Sequence, residues 1–239
     1  MHFHLPKPLH GWREFAGEVG IIVVGVLIAL AMEQAAESWH ERGSARQARD
    51  AIRTEIGADL GQIAARASME GCIERRFSEI SAFLDAASSG TVPDPPTWIG
   101  RPGITTMDSY RWDAASQAGR VSLFSTAEQS QYSDFYAEIK AIGEQEAREQ
   151  DLWAQLRSLE GQHHVSGITA ETMRSVLSQA RYADWSIRLF FREGADSAKA
   201  ADIPLIFDAR YPPIPSPCLP ITTTREAALK MLNSKYGAP

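Results

Sequence analysis

The 239-residue chain lacks several features that mark enzymes, metal proteins and nucleic-acid-binding proteins. It has only two cysteines, Cys72 and Cys218, and their spacing matches no zinc or thiol-redox motif. It has no excess of basic residues, because its net charge is −6, whereas nucleic-acid binding requires a basic surface. Phosphate-binding glycine loops and the G-x-S-x-G nucleophile motif are absent as well. We therefore expect no catalytic site, no cofactor, no metal and no nucleic-acid partner.

Long apolar runs are also absent, with one exception near the N-terminus. Residues 19–32 (VGIIVVGVLIALAM) carry no charge but would span only about 21 Å as a helix. Extension to residues 15–36 reaches the ~30 Å of a bilayer hydrocarbon core. Trp12 and Trp39 flank this segment, as interfacial tryptophans often do. The sequence thus predicts a transmembrane helix over residues 15–36 after an N-terminal tail, residues 1–14.

The topology of this segment has alternatives. Residues 29–31 (Ala-Leu-Ala) have the form of a signal-peptide cleavage site, although no polar stretch separates them from the apolar run. A buried core helix would also suit fourteen apolar residues. Basic residues are balanced across the segment, so the positive-inside rule does not decide its orientation. The short N-terminal tail favours a cytoplasmic N-terminus and a domain on the outer side of the cytoplasmic membrane.

One face of the predicted span differs from the rest in composition. At 100° per residue, this face comprises Glu18, Gly25, Ala29, Met32 and Ala36. Gly25 and Ala29 permit close approach of another helix, and Glu18 could form a hydrogen bond across the contact. Small residues are common in membrane helices with or without partners. The face is therefore either a helix–helix interface, for self-association or a protein partner, or ordinary lipid-facing surface.

Helical periodicity continues beyond the span and predicts an all-α domain. Apolar residues recur every three or four positions, predicting one long juxtamembrane helix, or two stacked helices, over residues 37–90. A proline-rich loop over residues 91–104 follows, and then a helical bundle over residues 105–202. Residues 203–239 combine a proline-rich segment with a short C-terminal helix. The expected fold is an irregular antiparallel bundle with proline-rich loops on a membrane stalk.

Capping-box patterns predict where three of these helices begin. In each pattern a hydroxyl residue precedes an acid by three positions, so that the side chains satisfy backbone amides of the first turn. The three pairs are Thr105 with Asp108, Ser125 with Glu128, and Thr223 with Glu226. Gly119 suits the end of the short helix that precedes Ser125.

Three groups of residues could serve a ligand, and each also has a purely structural interpretation. The arginines 42, 46, 49 and 53 share a helix face beyond the span, which suits lipid headgroups or an anionic ligand. The aromatic residues at 110, 112, 132, 135 and 136 could line a pocket together with Arg120, or could form core. His163 and His164 are adjacent and point apart, which favours a solvated turn over a metal site.

The two cysteines are expected to form a disulfide if the domain is periplasmic. Cys72 falls in a predicted helix, and Cys218 in the proline-rich C-terminal segment. A bridge between them would close a loop of about 146 residues, which the chain-entropy model values at roughly 4–5 kcal/mol. Two free thiols in a cytosolic domain are the alternative.

Two segments resemble a large bacterial family of uncharacterised single-pass membrane proteins. Residues 17–30 (GEVGIIVVGVLIAL) are similar to the family's anchor, in which Gly-Glu and an aliphatic run precede Gly-x-Leu-Ile-Ala-Leu. Trp39 would be the tryptophan of the polar stretch that follows. Residues 112–123, from Trp112 to Leu123 through Gly119, resemble the family's turn before a tyrosine-rich helix. The resemblance implies a single-pass protein with a helical domain and brings no activity with it. With the orientation favoured above, a bacterial protein of this kind would lie in the inner membrane with its domain in the periplasm.

These observations favour a non-catalytic accessory or scaffold subunit of the cell envelope, anchored by one helix. The predicted interface face of the span and the lack of a catalytic constellation both support this interpretation. The alternative is an extracytoplasmic ligand-binding or sensory domain that uses the aromatic residues and Arg120.

Overall fold

The computed structural model describes residues 11–90, 93–207 and 216–236, and these residues contain helices, turns and loops but no strand. The predicted N-terminal tail therefore lies mostly outside the described residues. The α-helices in the described part are α1 Trp12–Ala67, α2 Glu70–Ser88, α3 Tyr110–Gln117, α4 Thr126–Leu156, α5 Gly167–Ala200 and α6 Arg225–Tyr236. Short 3₁₀ turns lie at Arg120–Leu123, Arg157–Leu159 and Ser216–Cys218. The all-α prediction is confirmed.

Helix α1 joins the apolar N-terminal segment to the core of the domain without a break. It is 56 residues long, and its apolar part is long and apolar enough to cross a membrane. Every described side chain from Phe15 to Arg42 is exposed, whereas Ala45 is the first buried residue and Ile52 is completely buried. The predicted span and the predicted juxtamembrane helix are thus parts of one helix. Helix α1 ends at Ala67, and α2 begins at Glu70. Of the two predictions for residues 37–90, one long helix or two helices, the structure has two helices.

Three helical layers enclose the core, formed by α1 with α2, by α4 and by α5. Residues 45–60 of α1 pack with Tyr132–Ile139 of α4, and α2 packs with the far end of α4 around Trp153. Helices α1 and α2 therefore run in the same direction as α4, whereas α5 is antiparallel to α4. Helix α5 is antiparallel to α1 and α2 as well. Only α4 runs parallel to α1 and α2, because a long connection returns the chain from the end of α2 to the start of α4.

This connection, here called the crossover connection, is described over residues 93–125. It runs back along the bundle and is hydrogen-bonded to it at three places. The Pro96 carbonyl accepts a hydrogen bond from the Gly161 amide, Thr105 binds Glu146, and the Arg111 amide binds Glu55 near the other end. The capping box predicted at Thr105 is wrong, because the Thr105 hydroxyl instead donates to Glu146 at 2.6 Å. Helix α3 begins later, at Tyr110.

The caps of the neighbouring helices show how well the other local signals work. Ser125 and Glu128 form the predicted capping box at the start of α4, with both reciprocal bonds present. Gly119 follows α3 with a φ of 70°, the left-handed conformation that suits glycine. At the start of α6, the hydroxyl of Thr224, rather than that of the predicted Thr223, accepts a hydrogen bond from the Ala227 amide at 3.3 Å.

After α5 the chain returns across the outside of α1. Residues 203–207, here called the strap, run without regular secondary structure over Gly57 and Gly61, and the Ile206 amide donates to the Gly57 carbonyl at 2.8 Å. A Cβ on Gly57 would stand 2.4 Å from the Pro204 carbonyl oxygen. The strap can thus reach α1 only because these positions carry no side chain.

Candidate functional site

The predicted interface face of α1 is open in the structure. Glu18, Gly25, Ala29, Met32 and Ala36 are all exposed. At 100° per residue, the core residue Ala45 lies 180° around the helix from Ala36, and Ile63 shares the direction of Ala45. The bundle therefore packs on one side of α1, while the predicted interface faces the other side. Along the apolar segment, no described residue outside α1 covers this face.

Four charged residues form a buried layer in the middle of the bundle, here called the ionic layer: Arg66 from α1, Glu146 and Glu149 from α4, and Asp184 from α5. The guanidinium of Arg66 donates from Nη2 to both oxygens of Glu149, at 2.7 and 2.6 Å, and to Asp184 at 3.2 Å. Its Nε lies 3.7 Å from Glu146. Each of the four is at most 3% exposed, so one cation joins three helices in a water-poor interior.

The ionic layer contains three carboxyl groups but only one cation, Arg66. Burial raises the pKa of Glu149 to about 7, although Arg66 opposes this shift. Burial raises the pKa of Glu146 and Asp184 as well. Arg188 supplies a second, less buried cation, whose Nε lies 3.0 Å from Asp184. This arrangement holds the helices in one register and can retain a proton near neutral pH.

The layer was not found from the sequence, although a signal for it exists. Glu146 and Glu149 fall in a polar run that suggests a solvated helix face, and their neighbours Glu144 and Arg148 are indeed exposed. Yet Glu146 and Glu149 occupy the same helical stripe as the buried Ile142. A carboxylate at a core position predicts a buried cation on another helix.

A groove of about 750 Å³ separates the crossover connection from α4. Trp112 lines one wall and stacks on Tyr136 of the other, with ring centroids 5.5 Å apart. Among the predicted pocket aromatics, Tyr132, Phe135 and Tyr136 are buried in the core. Tyr110 is exposed, and Arg120 is also exposed. The aromatics thus serve mainly as core, with Trp112 at the boundary between core and groove.

Acidic residues lie behind the aromatic wall of the groove. Tyr136 donates its hydroxyl to Glu55 at 2.6 Å, and burial together with Glu55 raises the pKa of Tyr136. Burial, reinforced by the charge of Glu55, raises the pKa of the nearby Asp59 to about 8. Its Oδ2 has no hydrogen-bond partner among the described residues. Asp59 is therefore a carboxyl group that keeps its proton at neutral pH.

The four juxtamembrane arginines divide into two pairs. Arg49 binds Glu128 with bonds of 2.5 and 3.2 Å, and Arg53 donates to the Ala201 carbonyl at 3.0 Å. The partners of these two arginines lie within the domain. The structure therefore explains both residues without lipid headgroups or an anionic ligand. Arg42 and Arg46 are exposed and remain available to headgroups.

The predicted histidine turn is exposed at His163 and His164. No group of three or more histidine, cysteine, aspartate or glutamate side chains suited to a metal occurs within residues 11–90, 93–207 and 216–236. The described residues thus offer no preformed metal site.

The structure brings Cys72 and Cys218 together with their Cα atoms 4.8 Å apart and their sulfur atoms bonded. Arg76, which is completely buried, reinforces the same junction. Its guanidinium donates to the carbonyls of Trp98 and Ile99 in the crossover connection, and to that of Leu219 in the C-terminal segment. Helix α2 therefore anchors both irregular segments at one point.

Together these features define an all-α protein in which one long helix is an exposed apolar rod at one end and bundle core at the other. No family model matches the chain, and neither a curated protein nor a solved structure matches it.

Proposed function

We propose that the protein is a single-pass bacterial inner-membrane protein whose periplasmic helical domain acts as a non-catalytic accessory or scaffold subunit. The observation that carries this proposal is the continuity of α1, which passes from an exposed apolar segment into the bundle core as one helix. Such a helix fixes the position and rotation of the domain relative to the bilayer. Its open face, opposite the bundle, is the surface through which the protein associates with a partner.

The apolar end of α1 supports the assignment of a membrane span. Residues 15–36 would extend about 33 Å as a helix, enough for the hydrocarbon core. None of the described side chains in this range is covered by the domain. The resemblance to a bacterial family of single-pass membrane proteins supports the same anchoring. The cytoplasmic N-terminus is proposed from the short N-terminal tail before the span.

Replacement of Gly25 by isoleucine tests the association face. The larger side chain should block close helix approach, and Glu18→Ala should remove a hydrogen bond worth about 0.6–2 kcal/mol. Gly20→Ile is the matched control, because Gly20 is also an exposed glycine of the span but lies on another face. A two-hybrid or crosslinking assay in membranes measures the result. Equal association of the parent, Gly25→Ile and Glu18→Ala chains would contradict the interface.

The groove beside Trp112 supports a second candidate function, an extracytoplasmic ligand-binding or sensory domain. Its volume lies in the range of small-molecule sites, and it combines apolar walls with Lys140 and Asp113. Native mass spectrometry of the full chain in mild detergent separates the two functions. A protein partner in fixed ratio supports the accessory role, whereas a retained small molecule that Trp112→Ala releases supports ligand binding.

A further inference from the structure

The open face of α1 continues beyond the apolar segment into the stalk. Two series of heptad positions run along it, Ala29, Ala36, Gly43 and Asp50 in one series, and Gly25, Met32, Trp39 and Arg46 in the other. The alternating spacing of three and four residues is that of a coiled-coil seam. Gly43 is half-buried and the other seven are exposed. We call the part from Trp39 to Asp50 the stalk seam.

Farther along α1 the same face is already covered by this chain. Gly57 follows Asp50 by one heptad, and there the strap packs directly on the helix backbone. Arg53 fixes the start of that contact through the Ala201 carbonyl. This face of α1 therefore accepts a packed polypeptide segment where the chain supplies one. Over the stalk seam, the described residues supply none.

We propose that the stalk seam binds a second copy of this chain, with the two α1 helices parallel. The inference rests on the proposed membrane anchoring, which inserts every copy in the same orientation. The bundle does not obstruct the contact, because the core residues Ala45 and Ile52 lie on the other side of α1.

Size complementarity between Trp39 and Gly43 identifies the second copy as the occupant. Trp39 is 81% exposed, and a Cβ on Gly43 would meet nothing within 4 Å. In a parallel pair, the side chain at position 39 enters a hole bounded by positions 36 and 43 of the other helix. Ala36 and Gly43 leave this hole wide enough for an indole ring. The match is reciprocal, as an isologous interface requires.

The charges of the stalk seam are complementary in the same arrangement. Within the described residues, no ion pair occupies Arg46 or Asp50, in contrast to the neighbouring Arg49, which binds Glu128. In a parallel pair, Arg46 of each helix lies beside Asp50 of the other, so two equivalent ion pairs form. Within a single helix, a cation four residues before an acid is the less favourable order.

Disulfide crosslinking of the full chain in membranes tests the contact. Gly43→Cys should give a covalent dimer on oxidation, because equivalent seam positions face each other in a parallel pair. Ser44→Cys is the matched control, since it lies one residue later and 100° around the helix. The chain without an added cysteine should remain monomeric on a non-reducing gel. Equal crosslinking at positions 43 and 44, or none at position 43, would overturn the proposal.

Charge reversal gives a second measurement that a purely structural effect would not reproduce. Arg46→Glu in the Gly43→Cys chain should reduce the crosslinked fraction severalfold, because glutamate then faces Asp50 of the other copy. Adding Asp50→Arg should restore crosslinking. Failure of the double variant to recover would count against the ion pairs and hence against the parallel register.

A third cysteine position distinguishes this inference from the proposed function. Dimers through Ala29→Cys without dimers through Gly43→Cys would overturn the stalk contact and leave association through the span intact. If neither position gives dimers and a different protein is purified in fixed ratio, a second copy is ruled out as the occupant of the stalk seam, while the accessory role stands.

Discussion

The carbonyl oxygen of Ile206 lies so close to Gly61 that a Cβ on this glycine would stand only 1.9 Å from it. Gly61→Ala should therefore displace the strap from α1. We expect a loss of about 1–3 kcal/mol in the free energy of unfolding, the usual cost of overpacking a close contact. Chemical unfolding of the full chain in detergent measures this loss.

Gly71→Ala is the control for that substitution. Gly71 also lies in a helix, but a Cβ there would meet nothing within 4 Å. Its replacement should leave stability unchanged or raise it by up to about 1 kcal/mol, because alanine is the better helix former. A similar loss in both variants would show that the strap contact is not responsible.

The cysteine pair predicts a defined pattern of thiol reactivity. The denatured, unreduced protein should contain no reactive thiol, and reduction should release two, at Cys72 and Cys218. Replacement of both by serine removes a loop constraint across 146 residues and should cost roughly 4–5 kcal/mol. Two reactive thiols before reduction would rule out the bridge and weaken the periplasmic assignment.

Arg66 is expected to be essential for the stability of the bundle. Arg66→Leu leaves Glu146, Glu149 and Asp184 buried without the cation that joins them, and should cost about 3–5 kcal/mol. Arg148→Leu, at an exposed position of α4, should change stability by no more than about 0.5 kcal/mol. Comparable unfolding midpoints for the two variants would contradict the role of the ionic layer.

Asp59 should make the domain less stable as the pH rises. Its pKa is about 8 in the folded state against an ordinary value of 3.8, so the folded state binds more protons between these values. The stabilising contribution is complete below about pH 4 and is lost as the pH rises to about 8, by at most ~1.4 kcal/mol per pH unit. Asp59→Asn imitates the protonated group and lacks this dependence.

Unfolding of the parent and of Asp59→Asn at pH 5 and pH 8 provides the check. The stability of Asp59→Asn relative to the parent should increase from the lower to the higher pH. A constant difference between the two proteins across this interval would mean that Asp59 titrates normally.

The sequence was most informative where structure depends on residues close together in the chain. The helix over the apolar segment, the capping box at Ser125 and the glycine that follows α3 all agree with their predictions, because each signal lies within a few residues. Thr105 shows the limit of such local signals. Its hydroxyl binds Glu146 across the bundle, and this contact replaces the local cap.

The partners that complete the ionic layer and the strap contact could not be predicted, because they are far apart in sequence. Glu149 resembles a solvated residue until Arg66, 83 positions earlier, is placed beside it. Gly57 and Gly61 suggest a weak helix until Ile206 is found against them. In both cases helical periodicity indicates at most that a position is buried and does not identify its distant partner.

We propose that α1 anchors the domain on the periplasmic side of the inner membrane. Reporter fusions after Pro239 measure this topology. We expect an alkaline phosphatase fusion to be active and to remain with the membrane fraction, and a fusion to a cytoplasm-dependent fluorescent protein to be dark. A fluorescent fusion with inactive phosphatase would place the domain in the cytoplasm, and a fusion recovered in the soluble fraction would rule out the membrane anchor.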